Sequence, residues 1–499
     1  MPTVPLPNDP DLDQLRRQAK ELRRAVARGD ADAIEEVVER HPRGDAAVAA
    51  FALSAAQLVI ARRHGFAGWP ALKRHVDVVR RLRRAPDAAT VCADVADEFL
   101  RLACLTYAGD AVERRRQAAV LLADHPELGR ASIHTAAATA DAPAVRAFLR
   151  ADPTAAAVEA GPYRWTPLLY LAYARHDPDI DSAAVLATAR ALLAAGADPN
   201  AGYLWHGLPS AFTVLTGVFG EGEQGPRDQP RHPHAQRLAR LLLEAGADPN
   251  DSQALYNRMF EPANDHLELL FEFGLGRGDG GPWRALLGAA TMSPSELVAS
   301  QLDWAVTHDM VERVRLLLAH GARPDAVLGD GRRATDAATV AGHRAVLALL
   351  VEAGAAAPAL DPVDELIGLL AAGDRAACER IVAAHPRRLD GARARRPSLI
   401  VDAVAADRPD AVRLLLDLGF DVNALGRGDA PRNGRWETAL HVAAGDGRLA
   451  LAELLLANGA DPGVRDARFD STPLGWARHF GRPALVALLH PRTPEPEQP

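Results

Sequence analysis

Residues 437–462 read ETALHVAAGDGRLALAELLLANGADP, and this stretch decides how the rest of the chain is interpreted. Thr438 stands directly before an apolar run, where a helix N-cap is expected. Gly459 follows a run of leucines and can take the left-handed conformation that closes a helix without a steric penalty. Asp461 precedes Pro462, which favours an extended conformation for it and opens a turn. The stretch therefore predicts two helices followed by a turn.

The closing phrase Leu-Leu-x-x-Gly-Ala-Asp-Pro-Asn recurs along the chain. Its intact and degraded copies lie at 192–200, 242–250, 317–325, 350–356, 415–423 and 455–462. The opening phrase recurs at Thr166 and Thr472, each followed by a proline at the first helical position, where the missing N–H costs nothing. Several neighbouring copies are separated by one or two units of about 33 residues, which indicates a repeat architecture.

These phrases resemble the ankyrin repeat, in which Thr-Pro-Leu-His-x-Ala begins the inner helix and Gly-Ala-Asp-Pro-Asn leads into a β-turn finger. The copy at 437–463 is the closest match. The resemblance implies an all-α solenoid of about thirteen stacked helix-turn-helix units. It also implies that His441 bonds to Thr438 or to the next turn, which is a structural role. The clear units are 165–198, 209–248, 299–325, 333–356, 398–423, 437–463 and 472–490. Weaker segments, which show only apolar helical spacing that ends in a breaker, are 15–41, 47–82, 93–126, 132–153, 252–275 and 363–389.

The predicted domain organisation follows from where the repeats are clear and where they fade. We expect a disordered N-terminus at 1–10, an N-terminal helical capping module at 11–85, the solenoid at 86–490, and a disordered tail at 491–499 that is rich in proline. Insertions interrupt the solenoid near 200–235, 274–295 and 424–436.

Composition narrows the class of function. The chain has 499 residues, is 48% hydrophobic and 24% charged, and carries a net charge of −8, which argues against broad affinity for nucleic acid or anionic lipid. Its three cysteines lack any metal or disulfide spacing, and neither a signal peptide nor a membrane-spanning run is evident. We expect a cytoplasmic monomer that binds neither nucleic acid nor membrane.

Three motifs match patterns found at chemical sites, but a structural explanation is favoured for each. Gly276-x-Gly278-x-x-Gly281 matches a dinucleotide fingerprint but follows a predicted helix instead of a strand. The histidines of the 231–234 segment lack further metal ligands at a recognised spacing. The basic runs at 80–84 and 387–396 suit phosphate, but cations are also favoured near helix C-termini. We predict no catalytic residue, cofactor or metal.

The insertions carry the candidate binding residues, because Trp, Tyr and Arg supply most interface hot spots. We predict that a protein partner contacts Tyr203, Trp205, His206, Trp283, Arg284, Arg332, Arg435 and Trp436. The alternative is that Trp165, Trp283 and Trp436 only fasten irregular loops to the stack.

The sequence thus favours a non-catalytic scaffold that holds a protein partner of unknown identity on its concave face of fingers and inner helices. One alternative is an enzyme with its site in the 200–235 or 274–284 insertions. A host-directed effector or a regulatory subunit is another, and the sequence does not separate these interaction roles.

Overall fold

The computed structural model describes residues 3–426 and 436–493, and helices dominate it. Two compact units are distinguished, Met1–Gln301 and Leu302–Pro499. The described residues contain 29 α-helices and one small sheet, so the all-α fold class is confirmed.

The first unit begins with four helices that surround a small apolar core. Leu15, Leu22 and Val59 are among the buried residues of that core. Residues 3–10, where the sequence predicts disorder, have no regular secondary structure, although the Val4 N–H donates to the Arg63 carbonyl (2.8 Å). The four helices are α1 Leu12–Ala27, α2 Ala31–Arg40, α3 Leu53–Arg63 and α4 Trp69–Leu82.

The rest of the first unit consists mainly of helix pairs. Within it, α7, α9, α11 and α14 form one row of successive contacts, and α8, α10, α13 and α15 form a second. The helices are α5 Val95–Ala103, α6 Val112–Asp124, α7 Ile133–Ala138, α8 Ala142–Ala151, α9 Pro167–Tyr173, α10 Ser182–Ala194, α11 Val214–Phe219, α12 Gly225–Asp228, α13 Ala235–Glu244, α14 Ser252–Arg258, α15 Asp265–Glu272 and α16 Gly281–Leu287.

A three-stranded sheet replaces the loop expected at the start of the 200–235 insertion. Strands β2 (Gly202–Trp205) and β3 (Ala211–Thr213) form an antiparallel hairpin in which Tyr203 pairs with Phe212. Strand β1 (Arg83–Arg84) adds in parallel to β2. Two of the five residues of the basic run at 80–84 therefore form an edge strand, which the helical interpretation of that run did not predict.

The second unit repeats the helix pair. The first helix of each pair contacts the first helix of the next pair, in the order α19, α21, α24, α26 and α28. Helix α17 (Pro294–Thr307) contains the division between the units. The helices that follow are α18 Val311–Ala319, α19 Ala334–Val340, α20 Arg344–Glu352, α21 Pro362–Ala371, α22 Arg375–Ala384, α23 Pro386–Arg395, α24 Leu399–Ala405, α25 Pro409–Asp417, α26 Ala439–Asp446, α27 Leu449–Ala457, α28 Pro473–His479 and α29 Pro483–Leu489.

Every one of the thirteen predicted segments contains a pair of helices. Helices α12, α16 and α23 are additional, and α23 carries most of the second basic run. The glycines at 276, 278 and 281 follow helix α15, so the strand that a dinucleotide fingerprint requires is absent from this described part of the chain. How many of the pairs are true ankyrin-type repeats stays a prediction.

Side chains of the repeated phrases join one pair to the next. The Asn423 amide donates to the Gly459 carbonyl (3.2 Å), and its oxygen accepts from the Asp461 N–H (2.8 Å). Asn200 makes the same two bonds to Gly246 and Asp248. The asparagine of the repeated phrase therefore links consecutive fingers.

His441 fixes the start of α26, as the family resemblance implies. Its Nδ1 lies 2.8 Å from the Thr438 hydroxyl and accepts from the Thr438 N–H (3.3 Å), while Nε2 donates to the Ser471 carbonyl (3.0 Å). Burial lowers the pKa of His441, so the neutral ring is favoured. The histidine thus joins two repeats.

Candidate binding site

The predicted binding residues lie at separate places in the fold. Tyr203, Trp205 and His206 belong to β2 and its turn, and Trp283 and Arg284 belong to α16, all in the first unit. Arg332 and Trp436 belong to the second unit, and Arg435 lies outside the described residues.

Tyr203 is buried in an aromatic cluster that fixes the hairpin to the repeat helices. Its side chain is 1% exposed, and its ring stacks on Trp165 (centroids 5.1 Å apart) and on Phe212 (5.6 Å). Trp165 is equally buried and packs against Tyr173 at 4.8 Å. Tyr203 and Trp165 are therefore supports of the hairpin and present almost no surface to a partner.

Trp283 also fastens one segment to another. Its indole N–H donates to the Asn200 carbonyl (2.9 Å), and its ring lies so close to Gly202 that a Cβ there would be 3.0 Å from it. Arg284 donates to the Thr291 carbonyl (2.7 Å) and so steadies the next loop. These contacts favour the alternative in which Trp283 joins α16 to the hairpin.

Trp205 and His206 lie at the hairpin turn and are half-buried. The Trp205 indole N–H donates to the Thr106 carbonyl (2.9 Å), which lies 99 residues away along the chain. His206 has a positive φ of 50° and its Nε2 lies 2.7 Å from an Asp87 carboxylate oxygen. Of the residues predicted in this insertion, these two remain partly open to solvent.

Trp205 borders the cavity that brings two of the predicted insertions together. The cavity has a volume of about 630 Å³. Its wall combines the loop after α5, the hairpin turn, the segment before α13, helix α14 and the loop after α16. The residues around it are Tyr107, Ala108, Gly109, Trp205, Leu208, Pro209, Ser210, Phe212, Gly222, Glu223, Gln224, Gln229, Ser252, Gln253, Tyr256, Asn257, Ala290, Thr291 and Met292.

Hydrogen bonds hold the wall of this cavity in place. Asp110 accepts from the Thr106 and Tyr107 backbone N–H groups (3.0 and 2.8 Å) and from the Gln229 amide (3.2 Å). The Tyr107 hydroxyl donates to the Thr216 carbonyl (3.0 Å), which attaches the loop to α11. A wall that is ordered before binding loses little conformational entropy when a ligand arrives.

The charge on the described part of the wall is a single carboxylate. Glu223 is exposed, and one of its oxygens accepts from the Tyr256 hydroxyl (2.5 Å). Burial raises the pKa of both Tyr256 and Tyr107, so neither phenol supplies a base at neutral pH. One carboxylate whose hydrogen-bonded neighbour is a phenol that stays protonated binds and orients a ligand more readily than it catalyses a reaction.

Comparison with known proteins identifies the repeat. Residues 429–474 match the sequence model described as ankyrin repeats (many copies). An ankyrin-repeat segment is therefore present at residues 429–474. Among solved structures it is similar to the human ASB11 ankyrin repeat domain, at 23% identity over 39% of this chain and 84% of that one, with a TM-score of 0.22. No curated protein matches the chain. Ankyrin repeats are general protein-interaction modules, and their fold is typically non-catalytic.

Arg332 lies at a second cavity, of about 360 Å³, in the second unit. Arg396 and Arg408 also border it, and each of these arginines faces an acid: Arg396 lies 2.5 Å from Asp402, and Arg408 lies 2.8 Å from Asp309. Because the positive charges are already compensated, this cavity has a weaker preference for anions than its arginines suggest.

Trp436 is 9% exposed and packs against Trp476 (5.3 Å) and Phe469 (5.5 Å) in the ankyrin repeats nearest the C-terminus. Asp466 organises the finger beside it by accepting from the Phe469 N–H (2.6 Å) and the Trp476 indole (3.0 Å). Trp436 is thus mainly a packing residue, and Phe469 is the exposed ring of this group.

Sequence reasoning missed Tyr107, Glu223, Tyr256 and Met292, which surround the first cavity. None belongs to a repeated phrase, and only the neighbourhood of long insertions could have drawn attention to them. Within residues 3–426 and 436–493, no helix has both the length and the apolar character required to cross a membrane. The same residues include no cluster of three or more His, Cys, Asp or Glu side chains placed for a metal.

Proposed function

We propose that the chain is a non-catalytic scaffold that holds a protein partner on the finger and inner-helix face of its ankyrin repeats. The observation that carries this proposal is the convergence of the 200–235 and 274–295 insertions on one cavity of about 630 Å³. Loops that long in a compact repeat array tend to be functional, and insertions of successive repeats fall on one face.

The wall of the cavity supports binding over catalysis. Its described residues include aromatic rings, Met292 and several amides, but no His, Cys or Asp beside Glu223. A nucleophile and a base within hydrogen-bond reach of each other are the minimum for most hydrolytic chemistry. An enzyme with its site in the 200–235 or 274–284 insertions is the rival that the experiments below also test.

We further propose the organisation and setting inferred from the sequence. Residues 11–85 serve as a capping module, because the end of a repeat array must present a polar face. The net charge of −8 disfavours a nucleic-acid partner. A cytoplasmic monomer that acts as a regulatory subunit, or as a host-directed effector, agrees with this account.

Affinity capture from lysate of the native cell, with the full chain as bait, tests the proposal. Met292, which is 45% exposed at the cavity, is changed to Ser; Leu286, which is 41% exposed on α16 outside the cavity, is changed to Ser as the matched control. We expect Met292→Ser to lose a stoichiometric partner that the unchanged chain and Leu286→Ser retain. Equal capture by all three chains would contradict the proposed site.

A thermal-shift screen with nucleotides, common metabolites and divalent metals tests the alternative that the chain is an enzyme. A small molecule that binds only the folded state raises the melting temperature by mass action. We expect no ligand to raise it. A reproducible shift that Met292→Ser removes would favour the enzyme over the scaffold.

A further inference from the structure

The cavity beside the hairpin is unusually aromatic for this chain. Aromatic residues are 5% of the sequence, yet four rings border this one cavity: Tyr107, Trp205, Phe212 and Tyr256. We propose that the cavity receives the cationic side chain of a partner peptide, an arginine or lysine that is flanked by apolar residues. This proposal rests on the proposed scaffold function and specifies what the scaffold recognises.

The arrangement of the rings supports a cation. Tyr107 meets Phe212 edge to face, with centroids 5.0 Å apart, and Trp205 lies 6.1 Å from Phe212. Tyr256 stands on α14, at another part of the wall. Phe212 is 4% exposed and stacks on Tyr203, so it supports the other rings. Tyr256 is 37% exposed and Tyr107 and Trp205 are half-buried, and a cation over the face of such a ring gains about 0.5–2 kcal/mol.

The charge of the wall also favours a cationic ligand. Glu223 is its one carboxylate, and the described residues of the wall include no Lys, Arg or His. The Tyr256 hydroxyl occupies one oxygen of Glu223 and fixes the orientation of the group, and the other oxygen accepts no hydrogen bond from the described residues. A bound guanidinium or ammonium supplies the missing positive charge, whereas a carboxylate ligand is repelled.

The amides of the wall suit a peptide better than a free amine. Gln224 is exposed at the cavity, and a side-chain amide offers both a donor and an acceptor, as a peptide bond does. Gln253 and Asn257 also border the cavity, but they are buried and bonded to each other (2.8 Å). A volume of about 630 Å³ also exceeds the space one side chain needs, so the residues flanking the cation enter too. Leu208, Pro209 and Met292 provide apolar surface for them.

An oriented peptide library tests the inference with the full chain as the immobilised receptor. Each peptide has a fixed central residue, namely Arg, Lys, citrulline, Leu or Glu, with random flanking positions. We expect enrichment of Arg or Lys with apolar neighbours. Citrulline has nearly the shape of arginine without its charge, so equal selection of the two, enrichment of Glu, or no enrichment at all would overturn the proposal.

Titration of the best selected peptide then locates the contact. Glu223→Gln should weaken the arginine peptide at least about tenfold, because a charge-assisted hydrogen bond is lost, and should leave its citrulline analogue unchanged. Glu244→Gln removes an exposed carboxylate from α13, away from the cavity, and serves as the control. An equal effect of both substitutions would refute the assignment.

The two proposals fail in distinguishable ways. If Met292→Ser loses the captured partner but the library shows no preference for a cation, the scaffold function stands and the cationic ligand is wrong. If Met292→Ser retains every captured protein, the proposed function itself is wrong.

Discussion

At the scale of single residues, buried histidines make the first unit sensitive to acid. His176 is 7% exposed and lies against the Phe99 ring, with centroids 5.0 Å apart. Burial lowers its pKa to about 4. His232 is also buried, and burial lowers its pKa as well. Both rings are therefore neutral in the folded chain at physiological pH.

The pH dependence of stability follows from that difference in pKa. Between pH 6.5 and 4 the unfolded chain takes up a proton at His176 that the folded chain does not, so the free energy of unfolding falls as the pH falls through this window. The contribution of His176 is on the order of 2–3 kcal/mol across the window. His176→Leu should remove that part of the slope.

Urea denaturation of the unchanged chain, His176→Leu and His125→Leu at pH 4.5 and 7 measures the effect. His125 is exposed, so its substitution should leave the slope as it is. Asp251 opposes the histidines, because burial raises its pKa to about 6 and so makes its contribution to stability fall as pH rises from about 4 to 6. Asp251 is present in all three chains, so its contribution cancels when their slopes are compared. An unaltered slope in His176→Leu would refute the assignment.

Substitution of Trp283 distinguishes a residue that supports the fold from one that contacts a partner. Trp283→Ala should lower the free energy of unfolding by about 2 kcal/mol, since it removes both the indole hydrogen bond to Asn200 and the contact with Gly202. Trp283→Phe keeps a ring and should recover about half of the loss. A Trp283→Ala chain with unchanged stability that no longer captures its partner would make Trp283 a contact residue after all.

At the scale of elements, the helix pairs of the repeated phrases were predictable and the structure formed within the insertions was not. The helix pairs follow from local signals: an N-cap such as Thr472, which accepts from the Gly475 N–H (3.3 Å), and a left-handed glycine such as Gly459 with φ of 89°. The strand at Arg83–Arg84 carries no such signal, because its pairing with Leu204 and Trp205 joins residues more than a hundred positions apart. The cavity depends on the same kind of long-range contact.

The asparagine of the repeated phrase gives an element-scale prediction. Asn423→Ala removes both bonds between consecutive fingers and should lower the free energy of unfolding by about 1–2 kcal/mol. Asn458→Ala is the control, because its amide donates to Leu454 within the same helix and is exposed. Urea denaturation measures both variants. Equal losses would mean that the link between fingers contributes nothing.

At the scale of the whole molecule, each unit stacks helix pairs whose apolar sides are covered by neighbouring pairs. Val412, Leu415 and Leu455 are among the buried residues of the second unit, and Leu192 and Leu242 among those of the first. Repeat arrays of this kind expose extended surfaces that are rigid before a partner arrives. In the proposed function, partner choice depends on what the insertions add to these surfaces, which the repeat pattern alone does not reveal.

Hydrogen exchange of the captured complex, compared with the free chain, tests the central claim most directly. We expect slower exchange on partner binding at 107–109, 205–212, 222–229 and 253–257, which together surround the cavity, and little change on helices α8, α10 and α13 of the second row. Protection confined to those three helices, with the cavity segments unaffected, would contradict the account.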